Sequence, residues 1–394
     1  MNMRTQARAL KAATLPLLLA MATTATHAAT PLLPASNGDQ VPGRLVVLPP
    51  PTGDHERQAV SYAWKLDPTA RVEAAAPFEA ESREYWMTVA GAELEQGVDV
   101  SLTAPGSLIR VNPARGARAM APTQLRVSQG GRRVKLQSLA DSAQLQAAGM
   151  PITAGTSIVK LEAGAGRYRL QAEGARGDYV VHVYEPQSDV VLRARPDRQQ
   201  VLAGGRMQVA VDLERAGRPV PGKAEALLVA PDGSSTPVAV RGGRDGRNVA
   251  RFKLPEATGN ARGLWELQVF ANDGEVARDA RTAFAVAAPT ARLAGDFEVD
   301  PARLQVSLPV EVASTGRFEV RGTLYATAAD GAMAPVSQAH AANWFEAGKR
   351  RLTLSFDRSH LPTGYGRPFE LRQLELHDQT RMSPIESREY ALKF

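Results

Sequence analysis

Two stretches in the C-terminal half of the chain echo each other 98 residues apart. Ala226-Leu227-Leu228-Val229-Ala230-Pro231-Asp232-Gly233 is followed, three residues on, by Pro237-Val238. Leu324-Tyr325-Ala326-Thr327-Ala328-Ala329-Asp330-Gly331 is followed in the same way by Pro335-Val336. The common frame is an apolar strand, an Asp-Gly turn and a Pro-Val pair. A fainter echo comes next in the same order, Trp265-Glu266-Leu267 against Phe369-Glu370-Leu371. A unit of about 100 residues made of strands and tight turns is the size of one immunoglobulin-like sandwich. The repeat therefore predicts an all-β chain: three consecutive β-sandwich domains, the second and third immunoglobulin-like.

The N-terminus predicts export. Arg4, Arg8 and Lys11 form a basic stretch, Leu15 to Met21 a short apolar one, and Thr26-His27-Ala28 a small-residue cleavage site. Residues 1–28 are thus read as a signal peptide. Its apolar run is too short for a bilayer, which takes roughly 20 residues, and no later segment is long and apolar enough. The mature chain is expected in the periplasm or outside the cell. It has no cysteine, so thiol nucleophiles, cysteine zinc sites and iron–sulfur clusters are excluded, and its stability rests on packed cores. The precursor carries +6; without the three basic residues of the signal the charge is about +3. Its arginines are scattered, which argues against a nucleic-acid partner.

Residues 29–43, rich in Pro, Ala, Ser and Gly, are read as a leader. A first sandwich is expected over 44–187, a second over 188–288 and a third over 291–394, with weakly buried joints near 187 and 290. Period-two alternation supports each: Ile109 and Val111, then Tyr179, Val181 and Val183, in the first; Met207, Val209, Val211 and Leu213 in the second; Leu304, Val306, Leu308, Val310 and Val312 in the third. Trp265 falls in register with a second-domain core. Pro309 predicts an edge strand or a bulge. Phe369 and Leu371 give way to Leu374 and Leu376, and that slip of parity predicts a bulge between Arg372 and Gln373. A short helix is expected within 139–149.

Residues 82–113, above all Tyr85-Trp86, Gly91-Ala92-Glu93-Leu94 and Ala104-Pro105-Gly106, resemble a bacterial exported family. So do Gly177 to Pro186 and Ile385 to Phe394. The chain resembles the three-domain family called domain of unknown function 4785. The resemblance implies an exported protein of consecutive β-sandwiches and supplies no catalytic motif.

Chemistry is sparse. Five histidines follow the signal (His55, His182, His340, His360 and His377), with no pair at helical zinc spacing, and they read as surface or edge residues. No Gly-x-Ser-x-Gly elbow or P-loop is present. Asp296, Glu298 and Asp300 alternate around Phe297 and Val299 and so share one face of an extended segment, a weak calcium candidate. The favoured alternative is a solvent face without metal. Trp344 and Phe345 stand in a polar stretch and are candidate binding residues if exposed, or a core plug if not. No catalytic residue and no cofactor is assigned. The sequence is read as an exported non-catalytic protein that binds a protein or glycan partner through sandwich-end loops. The rival reading is a hydrolase-type enzyme or enzyme accessory with carboxylates of the first domain, Glu79, Glu81, Glu84 and Asp99, as candidates.

Overall fold

The computed structural model describes residues 28–72, 76–242, 247–257 and 263–394. The signal therefore lies outside the described residues, except for Ala28. Six sheets form three two-layer sandwiches, each closed around its own apolar cluster. The first sandwich pairs a sheet ordered 84–90, 178–184, 107–113, 157–161, 138–141 with one ordered 98–102, 166–172, 125–129, 132–133. Ile109, Val111, Leu170, Tyr179 and Val181 fill it. The short helix Ser142–Ala147 starts where Asp141 accepts the Gln144 N–H and Gln144 accepts the Asp141 N–H, a reciprocal cap. A second helix, Gly91–Gln96, was not expected from the sequence.

The 98-residue echo is a structural repeat. In the second sandwich one sheet contains, in order, 235–238, 223–229, 265–272 and 277–287; in the third the same order is 333–345, 316–327, 366–378 and 383–393. Both echoed hairpins turn through the same bonds. Ala230 N–H donates to Ser234 O and Gly233 N–H to Ala230 O, and Ala328 and Gly331 repeat these bonds with Ala332 and Ala328. Asp232 and Asp330 each accept the backbone N–H two residues on. Gly233 and Gly331 have φ of 84° and 87°, where a side chain is disfavoured. Trp265 is buried in the second core.

The third sandwich contains chain that the sequence reading placed elsewhere. Ala28–Thr30 pairs with Phe297–Val299, and Leu33 N–H donates to Ala391 O. Gln40 bridges to Ser387, and Val60–Lys65 lies antiparallel to 337–342. Residues 28–65 are thus an arm strapped around the C-terminal sandwich, rather than a leader and the start of the first one. Ala80–Ser82 pairs with Leu192–Ala194 of the second sandwich, and the first sandwich's own strands begin at Glu84. Both repeats therefore take an edge strand from upstream chain.

Neither joint is a loose linker. Ser188 and Val190 are buried at the first, Thr290 and Ala291 at the second. At the first, the Glu185 carboxylate is fully buried against the Arg278 guanidinium, 2.6 Å away. Thr103 and Ala104 N–H groups satisfy the acid; Val190 O, Ala277 O and Ser188 Oγ take the remaining guanidinium donors. At the second, Thr290 Oγ1 donates to Asp378 Oδ2 at 2.8 Å, and Val46 of the arm donates to Pro289 O.

Two local expectations meet different outcomes. Gln373 has φ of 43°, and against the strand 316–327 the register passes from Arg321–Glu375 to Thr323–Arg372, so one extra residue lies on the strand of Gln373 and the bulge is present. Pro309 lies in neither an edge strand nor a bulge. Gln305–Val312 is flanked on both sides. Its neighbour is broken into 291–293 and 297–300, and Pro309 faces that break, where its carbonyl accepts from Ala294. No ladder donor is needed there.

Candidate functional site

Val60–Lys65 is the outermost strand of the third sandwich's long sheet. Its pattern is reversed from that of an ordinary edge. Ala63 points inward, against the core, while Tyr62 and Trp64 project from the outer face. They are 49% and 39% exposed. Both rings pack on the His340 imidazole of the neighbouring strand, with centroids 5.1 Å and 4.7 Å away, and they lie 5.5 Å from each other. The result is a three-ring shelf on a flat sheet.

The shelf is propped from below. His340 Nδ1 donates to Glu319 Oε1, because a carboxylate can only accept. Gln379 donates to the other oxygen at 2.7 Å. The His340 bond holds the Glu319 carboxyl below its usual range. His340 Nε2 is buried without a hydrogen-bond partner among the described residues, so the ring is held by one bond and two stacking contacts. Beside it, Arg321 pairs with Glu375, and His377 Nε2 stands 2.8 Å from the same carboxylate. Burial alone would raise the Glu375 pKa, but His377 and Arg321 together turn the shift downward.

The residues singled out from sequence are placed as follows. Trp344 and Phe345 end the strand Met333–Phe345 rather than occupying a loop. The small residues Ala339, Ala341 and Ala342 had hidden that strand. Phe345 is buried against Phe318. Trp344 is covered by the arm: the Arg57 guanidinium lies 4.6 Å over its ring, and His55 stacks on it. Phe297 and Val299 point inward as expected, with Asp296 exposed. Glu298 pairs with Arg351 at 2.8 Å, and Asp300 caps the turn at Ala302 and Arg303. Among the described residues no three His, Cys, Asp or Glu side chains are grouped as metal ligands.

The carboxylates of the rival reading are not gathered either. Glu79 binds Arg193 and Arg195, and Glu81 pairs with Arg83 and Arg193, at the edge of the second sandwich rather than within the first. Glu84 pairs with His182, and Asp99 lies 4.0 Å from Arg169. Of the histidines expected at surfaces or edges, His340 is buried instead, because the arm covers it. Tyr62 and Trp64 were not singled out. Their alternation with Ser61, Ala63 and Lys65 was readable as a strand, but apolar alternation normally marks the face that is buried.

Family models for the N-terminal and C-terminal domains of the domain of unknown function DUF4785 match residues 51–185 and 290–394. A crystal structure of a DUF4785 family protein from Legionella pneumophila superposes with a TM-score of 0.68 at 18% identity, covering 90% of this chain and 99% of that one. Trypsin-activated alpha-2-macroglobulin from Escherichia coli gives a TM-score of 0.19 at 14% identity, over 74% of this chain and 22% of that one. Dimeric latent PorU from Porphyromonas gingivalis gives 0.17 at 10% identity, over 79% and 34%. No curated protein matches the chain.

Proposed function

We propose a role for this chain, which belongs to the DUF4785 family: an exported, non-catalytic binding protein that holds a glycan on the outer face of its third sandwich. The observation that carries the reading is the exposed Tyr62–Trp64 shelf, propped by His340. A sugar ring presents C–H groups on one face and hydroxyls at its rim. Aromatic rings on a flat support, with polar side chains beside them, complement both. A protein partner is a weaker fit, since it would favour an apolar centre with a polar rim, whereas Gln338 and Arg321 stand next to the ring residues and Arg321 pairs onward with Glu375.

Several features support the non-catalytic part. Glu79, Glu81 and Glu84 are engaged by arginines or histidine. The two joints lock the sandwiches by buried polar contacts. The signal-like N-terminus supports export. A sheet face replaces the sandwich-end loops of the sequence reading because the loop candidates, Trp344 and Phe345, are covered by the arm or by the core.

The test is affinity electrophoresis of the chain from Ala29 onward in gels containing soluble β-1,3-, β-1,4- or α-1,4-linked glucans. At least one should retard it. The double substitution Tyr62→Ala with Trp64→Ala should weaken retardation at least tenfold with little loss of melting temperature. Retardation by none of the glucans, or equal retardation of the double variant, would reject the reading.

A further inference from the structure

The shelf has a counterpart at the opposite edge of the same sheet. Trp64 pairs with Gln338, Gln338 with Thr323, Thr323 with Arg372, and Arg372 with Tyr390. One cross-strand row therefore runs between two exposed aromatic residues, Tyr390 being 43% exposed. The five strands are separated by four steps, which makes the row about 19 Å long. Its middle is polar and ordered. Gln338 donates to Thr323 Oγ1 at 3.2 Å. The Arg372 guanidinium is sandwiched between the Tyr325 and Tyr390 rings, 4.4 Å and 4.8 Å from their centroids. The parallel row, Tyr62, His340, Arg321, Glu375 and Ser387, borders it.

The charges along this face are already matched. Arg321 pairs with Glu375, and Arg372 with Glu370, which Lys393 also approaches at 3.6 Å. An anionic ligand would have to break one of these pairs to gain a cation; a neutral one meets hydrogen-bonding groups without that cost.

Resting on the glycan reading above, we infer that the ligand is a neutral, linear oligosaccharide lying across the strands, with one end on Tyr62 and Trp64 and the other on Tyr390. A row of about 19 Å accommodates roughly four sugar rings. The inner rings lie over Gln338 and Arg372, whose amide and guanidinium donors meet their hydroxyls.

Calorimetric titration of the mature chain with β-1,3-, β-1,4- and α-1,4-linked gluco-oligosaccharides of two to six units tests this, with oligogalacturonate as the acidic probe. Affinity for the bound series should climb by tenfold or more from two units to four and then level off. Tyr390→Ala should remove that climb while leaving the two-unit affinity unchanged, and Tyr390→Phe, which keeps the ring, should retain it. Oligogalacturonate should bind at least tenfold more weakly. Affinity flat from two units onward, or a climb that survives Tyr390→Ala, overturns the inference while the shelf reading stands. Preference for oligogalacturonate overturns its neutral character. Binding of no series, or binding indifferent to Tyr62→Ala with Trp64→Ala, overturns the shelf reading and the inference with it.

Discussion

The second and third sandwiches build the same four-strand sheet and use its outer face differently. In the second, Phe270, Asp279 and Arg281 face the first sandwich. Trp86 stands edge-on to Phe270, Arg281 lies 4.5 Å over the Trp86 ring, and Asp279 accepts the Trp86 N–H at 2.7 Å. In the third, the equivalent face carries Tyr62, Trp64 and Tyr390 at 39–49% exposure. Aromatic rings, stacked arginines and short polar bonds occur on both. One copy of the face is occupied by a neighbour within the chain, and the other offers similar chemistry to solvent. On this face the difference lies in what arrives from upstream: a whole sandwich on one repeat, an edge strand of the arm on the other.

Breaking the joint behind the closed face should cost most. Arg278 and Glu185 are both fully buried, so Arg278→Ala leaves a carboxylate without its counter-charge. Loss of one partner of such a pair costs about 3–5 kcal/mol. Denaturant unfolding should show the first two sandwiches losing that much while the third, followed by its own tryptophans Trp64 and Trp344, changes little. A loss below about 1 kcal/mol would mean that apolar contacts alone hold this joint.

A milder break is a change of pH. Burial pushes the Asp279 carboxyl up to about 6, with Glu84 adding to the rise and His182, Arg281 and the Trp86 N–H opposing it. The native state thus keeps a proton that the unfolded chain releases near the ordinary value of 3.8. Between those pH values the folded state binds more protons, so this group's contribution to stability falls as pH rises, by roughly 1–3 kcal/mol. Asp279→Asn keeps an acceptor for Trp86 and removes the titration. Its stability relative to wild type should therefore increase from pH 4 to pH 6 and level off above. A difference that is constant with pH would show that Asp279 is charged and solvated in the native joint.

The parts of this architecture that were legible from sequence are those written locally. Alternation of Met207 to Leu213 and Leu304 to Val312 states which side of a strand is buried, and the Asp-Gly turns mark the hairpins between strands. The arm was not legible, because a strand's partner is a non-local fact. Leu33 and Gln40 attach through backbone bonds to Ala391 and Ser387 that no side-chain pattern announces. The Glu185–Arg278 pair joins residues 93 apart in sequence, and nothing near either one signals the other. The aromatic face was hidden for a physical reason as well. Tyr62 and Trp64 look like core residues, and only the small inward Ala63 and the edge position of the strand reverse that reading. Trp344 stands out in the sequence as an aromatic in a polar stretch, but the residues that cover it, His55 and Arg57, come from a segment read as part of the first sandwich.

The smallest effect tests whether the two repeats are equivalent where they should be. Gly233 and Gly331 occupy the same turn position at nearly the same φ, and neither has any atom within 4 Å of where a Cβ would stand. Substitution by alanine therefore meets no steric neighbour and costs only the strain of a left-handed backbone, about 1 kcal/mol at each site. The backbone bonds of the two turns are also the same, with Ser234 Oγ adding one exposed side-chain bond to Asp232, so the two losses should agree within about 0.5 kcal/mol when measured by denaturant unfolding. The comparison is sharpened if they do, since the difference between the repeats is then confined to their faces and to what those faces carry. A much larger loss at Gly331 would place part of the difference in the hairpin itself, because that turn joins the two strands which support His340 and Arg321, and the open face would then depend on turn geometry that the closed face does not share.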